Sequence, residues 1–246
     1  MKYKYILSIS FGKDSLALFL KLLEKKYPLD YVVFYDTGME FKCIYNIRDK
    51  VVEMCKDNNI EYVELKPDRS FLYDMLEKEV HKKDGSIQYG YKWCGGVTRW
   101  GTSAKTQAFN KFYSQFEDET IIEYVGIACD ELRRIDRSKK IKTVKLYPLV
   151  EWGMTENDCL IYCYRHGFHW LENGKDLYDI LDRVSCWCCA NKNLHELRNI
   201  YNELPEYWEK LKDLQSKIDI PMKRNASVFE LEERFKNERN EEDLSE

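Results

Sequence analysis

The sequence predicts an α/β fold: a doubly wound, mostly parallel sheet with a helical, cysteine-containing C-terminal extension. Three observations predict it. Short β-branched and aromatic runs at residues 3–9, 31–35 and 61–65 alternate with helical apolar spacing at residues 14–26 and 39–58. The first run enters its helix through a glycine-containing turn, the place where open α/β sheets hold ligands. From residue 176 onward the pattern is helical, interrupted by a cysteine-rich turn at 185–193.

The elements follow in order. Residues 3–9 form the first strand, and Leu16, Leu18, Phe19, Leu20, Leu22 and Leu23 give a helix packed on the sheet. Tyr31-Val32-Val33-Phe34-Tyr35 is a second buried strand; the next helix stops at Asn58-Asn59, before a third strand at 61–65. A helix is expected over 71–80, then a loop over 82–96, where Gly85, Gly90, Gly95 and Gly96 fall. Residues 98–116 are helical, with strands at 120–127 and 143–147. Thr155-Glu156-Asn157-Asp158 has the form of a capped helix start, with Asp where a capping box has Glu or Gln. That helix ends near His166-Gly167. Residues 197–218 form two helices broken at Pro205, and 227–235 an amphipathic helix. The expected division is a nucleotide-binding α/β domain at 1–175, a helical extension at 176–236 and a flexible acidic tail at 237–246.

The 246 residues are 44% hydrophobic and 14% aromatic, enough for a packed core. No apolar run approaches the ~18 residues of a membrane span, and no cleavable signal opens the chain, so a cytoplasmic protein is expected. A net charge of −4 argues against coating nucleic acid by bulk electrostatics. Arg133, Arg134, Arg137, Lys139, Lys140, Lys142 and Lys145 form one basic cluster, read first as a solvated face and second as a polyanion site. The nine cysteines are odd in number and argue against a disulfide framework. Cys43, Cys55, Cys159 and Cys163 lie in helical stretches and read as core; Cys94, Cys186, Cys188 and Cys189 lie in loop-like sequence beside Gly, Trp and Asn. Trp93, Trp100, Trp152, Trp170 and Trp187 read as packing residues, His166 and His169 as groups at a helix C-terminus, and Glu151 and Asp158 as caps.

Ser10-Phe11-Gly12-Lys13-Asp14-Ser15 spans the first strand-to-helix turn. A helix N-terminus presents backbone N–H groups and a favourable dipole to an anion. Gly12 permits close approach, Ser10 and Ser15 offer hydroxyls, and Lys13 adds positive charge. The alternative is an ordinary strand-to-helix turn with a capping Asp.

The hexapeptide resembles the S-x-G-x-D-S PP-loop of the ATP pyrophosphatase superfamily. Asp36-Thr37-Gly38-Met39-Glu40-Phe41 resembles the Asp-Thr-Gly-x-Glu-Phe segment of the phosphoadenosine phosphosulfate reductase family within it. Gly126-Ile127-Ala128-Cys129-Asp130-Glu131, with Arg133, Arg134 or Arg137 following, resembles that family's Gly-Ile-x-x-x-Glu turn. Tyr147-Pro148-Leu149-Val150-Glu151-Trp152 and Cys186-Trp187-Cys188-Cys189 resemble two more of its segments, in the family's order. The resemblance implies a PP-loop, HUP-like sheet that binds ATP or a related adenine nucleotide and splits it between the α- and β-phosphates. By position it implies Ser10, Phe11, Gly12, Lys13, Asp14 and Ser15 at the phosphates; Asp36, Thr37, Gly38 and Gly126 lining the pocket; Ile9 and Phe34 flanking the base; and Glu131, Arg133 and Arg137 closing the site. Lys13, Asp14, Asp36 and Arg137 are the expected catalytic residues. Mg²⁺ is expected on the phosphates, with Asp14 and Asp36 as its nearest carboxylates.

The sulfonucleotide reductases of this family attack with a Cys in a C-terminal Glu-Cys-Gly-x-His segment. This sequence departs there: no cysteine follows Cys189. Cys186-x-x-Cys189 is a chelate spacing, and Cys94 stands where iron–sulfur relatives place a Cys ahead of an Arg and a Lys, here Arg99 and Lys105. Cys94, Cys186, Cys188 and Cys189 are therefore candidate metal ligands. A 4Fe–4S cluster, a Zn²⁺ site with Cys188 or His195 as fourth ligand, and a plain reduced thiol cluster all stay open.

The leading expectation is an ATP pyrophosphatase that adenylates a substrate oxygen, with sulfur transfer to a nucleic acid or small molecule as a candidate outcome. Its alternatives are a sulfonucleotide reductase with an atypical nucleophile, and a non-catalytic nucleotide-binding subunit of a larger complex. A protein partner or a homo-oligomer is compatible with either.

Overall fold

The computed structural model describes residues 2–96, 98–135 and 143–243. In chain order its elements are β1 (Lys2–Ile9), α1 (Lys13–Glu24), β2 (Tyr31–Tyr35), α2 (Lys42–Asp57), β3 (Glu61–Leu65), α3 (Phe71–Leu76), β4 (Glu79–His81), β5 (Ile87–Tyr89), α4 (Trp100–Tyr113) and β6 (Glu119–Val125). A single 3₁₀ turn (Leu132–Arg134) precedes β7 (Thr143–Leu146), α5 (Pro148–Glu151), α6 (Glu156–Arg165), β8 (Leu171–Glu172) and β9 (Lys175–Asp176). The remaining elements are α7 (Leu177–Ile180), α8 (Leu194–Glu203), α9 (Pro205–Lys217) and α10 (Val228–Asp243). The chain divides into two compact units that interleave in sequence.

The first unit comprises residues 1–36, 42–66 and 105–170. Its sheet has the order β3-β2-β1-β6-β7, and every neighbouring pair is parallel. The five strands are those the alternating apolar runs predicted. The order runs outward from β1 to β3, then resumes on the other side of β1 with β6. The carboxyl ends of β1 and β6 therefore flank the topological switch point, where open α/β sheets bind ligands. On one face, Ile6, Val33, Tyr35 and Ile121 pack with Phe109 and Phe112 of α4. Burying each of those Phe side chains stabilises the fold by roughly 2–3 kcal/mol. Leu7, Val32 and Phe34, which alternate with them, are also buried, as expected of parallel strands covered on both faces. Helix α6 packs on α1. Its start is a capping box: Thr155 Oγ1 accepts from Asp158 N at 3.1 Å, and the Asp158 carboxylate accepts from Thr155 N at 3.0 Å.

The second unit comprises residues 37–41, 67–104 and 171–246. Pro205 starts α9 directly after α8, so the break expected there separates two helices. Tyr201, Trp208 and Phe235 bring α8, α9 and α10 onto one aromatic cluster. Two expectations change here. Helix α3 ends at Leu76 rather than near residue 80, and the glycine-rich stretch expected as loop holds an antiparallel hairpin pairing Glu79 with Tyr89 and His81 with Ile87. Three-residue strands are too short to show an alternating pattern, and the glycines beside them, Gly85 and Gly90, mask them further. The charged segment from Asn237 is helical through Asp243, extended by the Arg234–Glu238 pair one turn apart. Among the described residues, no helix is long and apolar enough to cross a membrane.

Candidate functional site

The loop between β1 and α1 is held from three sides. Ser15 Oγ donates to the Gly12 carbonyl at 3.1 Å and accepts from Ser10 N at 3.1 Å, which closes the turn on itself. Phe11 adopts a left-handed backbone, φ 57°, which a bulky residue takes only when its surroundings enforce it. Here they do. Its ring is buried against Phe34 at 4.8 Å between centroids, and its carbonyl accepts from Trp170 Nε1 at 2.8 Å. Gly12 is the N-cap of α1 and no side chain caps it, so the first turn keeps the donor geometry that helix starts offer to anions. Gly126, after β6, closes the other side. A Cβ there would lie 2.8 Å from Ser15 Cα and 2.9 Å from Ser15 N, so only glycine lets β6 approach the helix start.

Lys13 is 7% exposed and its ammonium lies 2.7 Å from Glu156 Oε1 and 3.6 Å from Asp14 Oδ1. Glu156 is the first residue of α6, and its N–H donates to Asp130 at 3.1 Å. Ligand oxygens of Asp14, Glu131 and Glu156 lie within 4.8 Å of one another. Burial holds the Asp14 carboxyl up at about 6; Lys13 pulls it down, and Glu156 and Glu131 push it further up. Among the described residues Asp14 Oδ1 is buried without a hydrogen-bond partner, the Lys13 ammonium being its nearest cation. Three crowded carboxylates are a donor set that a hard divalent cation can take.

The other residues expected at the nucleotide are placed as follows. Ile9 and Phe34 are buried at the ends of β1 and β2. Asp36 follows β2; its N–H donates to the Leu65 carbonyl at 2.9 Å and its Oδ1 accepts from the Tyr45 hydroxyl at 2.9 Å. The carboxylates grouped with Asp14 are Glu131 and Glu156. Among the described residues Arg134 pairs with Glu131; Arg133 and Arg134 are both exposed. Arg137, with Lys139, Lys140 and Lys142 of the basic cluster, lies outside the described residues.

In the second unit Thr37 and Gly38 open a turn, with Gly38 at φ 74°. Thr37 Oγ1 donates to Glu40 Oε1 at 2.9 Å and stands 3.5 Å from Cys186 Sγ, which lies 3.3 Å from the same carboxylate oxygen. Thr37 thus joins the cysteine-rich turn. Cys94 is brought to this turn by backbone: Ala190 N donates to the Cys94 carbonyl at 3.2 Å, and Gly96 N to Asn191 Oδ1 at 2.6 Å. Burial raises the Cys94 thiol's pKa, the Gly101 and Thr102 amides at the start of α4 pull it down, and Cys189 adds to the rise. Burial likewise raises Cys186 and Cys188, with Glu40 adding to both. Thiolate ligands suit both zinc and a four-iron cluster.

Sequence reasoning left Glu156, Glu40 and Lys192 unassigned. Glu156 and Glu40 stood inside quoted motifs; nothing local marked Lys192.

The phosphoadenosine phosphosulfate reductase domain matches residues 4–190. The chain belongs to this family. The phosphate loop, the Asp-Thr-Gly turn, Gly126 and the cysteine-rich turn all fall within the family's span. An uncharacterized protein of Methanocaldococcus jannaschii is 28% identical over 226 residues, which are 85% of this chain and 41% of that one. The chain thus spans about two fifths of that relative's length. Among solved structures, the U34-tRNA thiolase NcsA from Methanococcus maripaludis, determined with its 4Fe–4S cluster, aligns with a TM-score of 0.46 at 13% identity, covering 95% of this chain and 71% of that one.

Proposed function

We propose that this chain is a PP-loop ATP pyrophosphatase: it splits ATP between the α- and β-phosphates, adenylates a substrate oxygen, and supports sulfur transfer onto the carbon that carries that oxygen. The observation that carries the reading is the Ser10–Ser15 turn at the switch point between β1 and β6, with the buried Lys13 ammonium beside it. A family of this kind places pyrophosphate, the leaving group, on that turn.

The chemistry follows from charge. An acceptor oxygen attacks the α-phosphorus, the bond to the bridging oxygen breaks, and pyrophosphate leaves as the acceptor's proton is lost. Negative charge builds on the leaving group, where the α1 N-terminus and Lys13 can neutralise it. Asp14, Glu131 and Glu156 fit a Mg²⁺ ion, which when bound supplies further neutralisation. Lys13 is held by Glu156, so that carboxylate competes with phosphate for its positive charge. A sulfide-level sulfur donor then displaces AMP and leaves a carbon–sulfur bond. Cys94, Cys186, Cys188 and Cys189 would hold the metal, a four-iron cluster or zinc, that presents such sulfur.

The test is direct. The protein, prepared anaerobically, is incubated with Mg-ATP and candidate nucleic-acid or small-molecule acceptors, and AMP and pyrophosphate are measured. Acceptor-dependent release of both supports the reading, and Asp14→Ala should abolish it. Sulfite release from a sulfonucleotide with thioredoxin, without AMP or pyrophosphate from ATP, would replace it with the reductase reading.

A further inference from the structure

Lys192 is 2% exposed, and no charged side chain among the described residues is less so. Its ammonium donates to Ser185 Oγ at 3.2 Å and stands 5.4 Å from the Phe41 ring centroid. The groups that act on it electrostatically are Glu196 and the three cysteines of the turn, Cys186, Cys188 and Cys189. Glu196 is already engaged: Oε2 accepts from Asn193 N at 2.8 Å, and Oε1 faces Arg183 N at 3.4 Å. A second ammonium, Lys223, donates to the Ala190 carbonyl at 2.8 Å and to the Lys192 carbonyl. On the opposite side Glu40 faces Cys186.

A buried ammonium costs several kcal/mol unless negative charge compensates it. Against Phe41 an apolar side chain would pack without that cost. Glu196 compensates it while the thiols are neutral; ligation as thiolates would add three negative charges beside Lys192, with Glu40 already facing Cys186. We propose that Lys192 is a positioning residue for the cysteine turn: its fixed positive charge offsets the mutual repulsion of Cys186, Cys188 and Cys189 as thiolate ligands, and so governs how firmly a metal is held there. The inference rests on the metal–thiolate part of the proposed function.

The experiment uses the full chain with Lys192→Met, which keeps length and packing without charge, and Ser185→Ala, which removes the hydroxyl but leaves the charge. Each is reconstituted anaerobically with ferrous iron and sulfide, and separately with Zn²⁺, then challenged with EDTA. The wild type and Ser185→Ala should lose metal at similar rates. Lys192→Met should lose it about tenfold faster or more, the range for removing an outer-shell partner, at unchanged helix content. A reconstituted cluster should also be reduced at a more negative potential in Lys192→Met, because a nearby cation favours the reduced form; altered packing alone predicts no such direction. Equal metal loss in Lys192→Met and wild type overturns the proposal, as does loss that follows the unfolded fraction. A wild type that takes up neither metal removes the site and this inference with it, while AMP and pyrophosphate release would still report on the phosphate loop independently.

Discussion

Lys13 Nζ and Glu156 Oε1 meet at 2.7 Å although 143 positions separate them in sequence. The pair joins the start of α1 to the start of α6 and occupies the cation that a phosphate would need. Glu156→Gln should therefore release Lys13. Pyrophosphate, titrated calorimetrically without divalent cation, should bind about three- to tenfold more tightly, the equivalent of roughly 1 kcal/mol. The enhancement given by Mg²⁺ should shrink, since a carboxylate of the trio is gone. Weaker pyrophosphate binding in the metal-free variant would show that Glu156 does not compete with the anion.

Asp14 carries a pH dependence of definite sign. Its folded-state pKa is raised from 3.8 to about 6, so between those values the folded protein binds more protons than the unfolded chain. This residue's contribution to stability therefore falls as pH rises from about 4 to about 6, by an amount on the order of 2–3 kcal/mol, then stays level. Asp14→Asn should remove that penalty, raising the denaturation midpoint at pH 7.5 relative to wild type while nucleotide binding is lost. Urea titrations of both proteins at pH 4.5 and 7.5 measure it. A variant less stable than wild type at pH 7.5 would contradict the assignment.

Gly126→Ala tests the close approach at the switch point. The added methyl would meet the Ser15 backbone at 2.8–2.9 Å, and neither partner is the movable end of a side chain. Overpacking of this kind costs about 1–3 kcal/mol. Displacement of the α1 start should also weaken ATP binding by more than the stability loss alone accounts for. Thermal unfolding together with a nucleotide titration would reveal a harmless substitution, if it is one.

Trp170→Phe keeps most of the ring and removes the donor to the Phe11 carbonyl. Leaving that buried acceptor unpaired costs roughly 1–3 kcal/mol. The left-handed conformation at Phe11 then loses one of its two restraints. Amide exchange of residues 10–15 should accelerate, and unchanged protection would mean that the Phe11–Phe34 contact suffices.

Much of the fold was legible because its signals are local. β1, β2, β3, β6 and β7 each carry their own run of apolar residues, and Thr155 and Asp158 cap a helix three residues apart. The phosphate loop was legible for the same reason: Ser10, Gly12 and Ser15 are near neighbours in sequence, and their mutual hydrogen bonds need no distant partner. The β4–β5 hairpin was missed because three-residue strands among glycines carry no period.

By itself the sequence determined an alternating α/β chain, a glycine turn suited to phosphate, and a set of loop cysteines. Only the tertiary structure showed that Glu131 and Glu156 share the Asp14 neighbourhood, and that Asp36 meets Tyr45. It also decided that Arg134 serves Glu131, that Thr37 turns to Cys186, and that Lys192 is buried beside three thiols. The reason is physical. A local motif fixes the conformation of consecutive residues, whereas the charge and hydrogen-bond partners of a side chain are set by segments that meet only when the chain has packed.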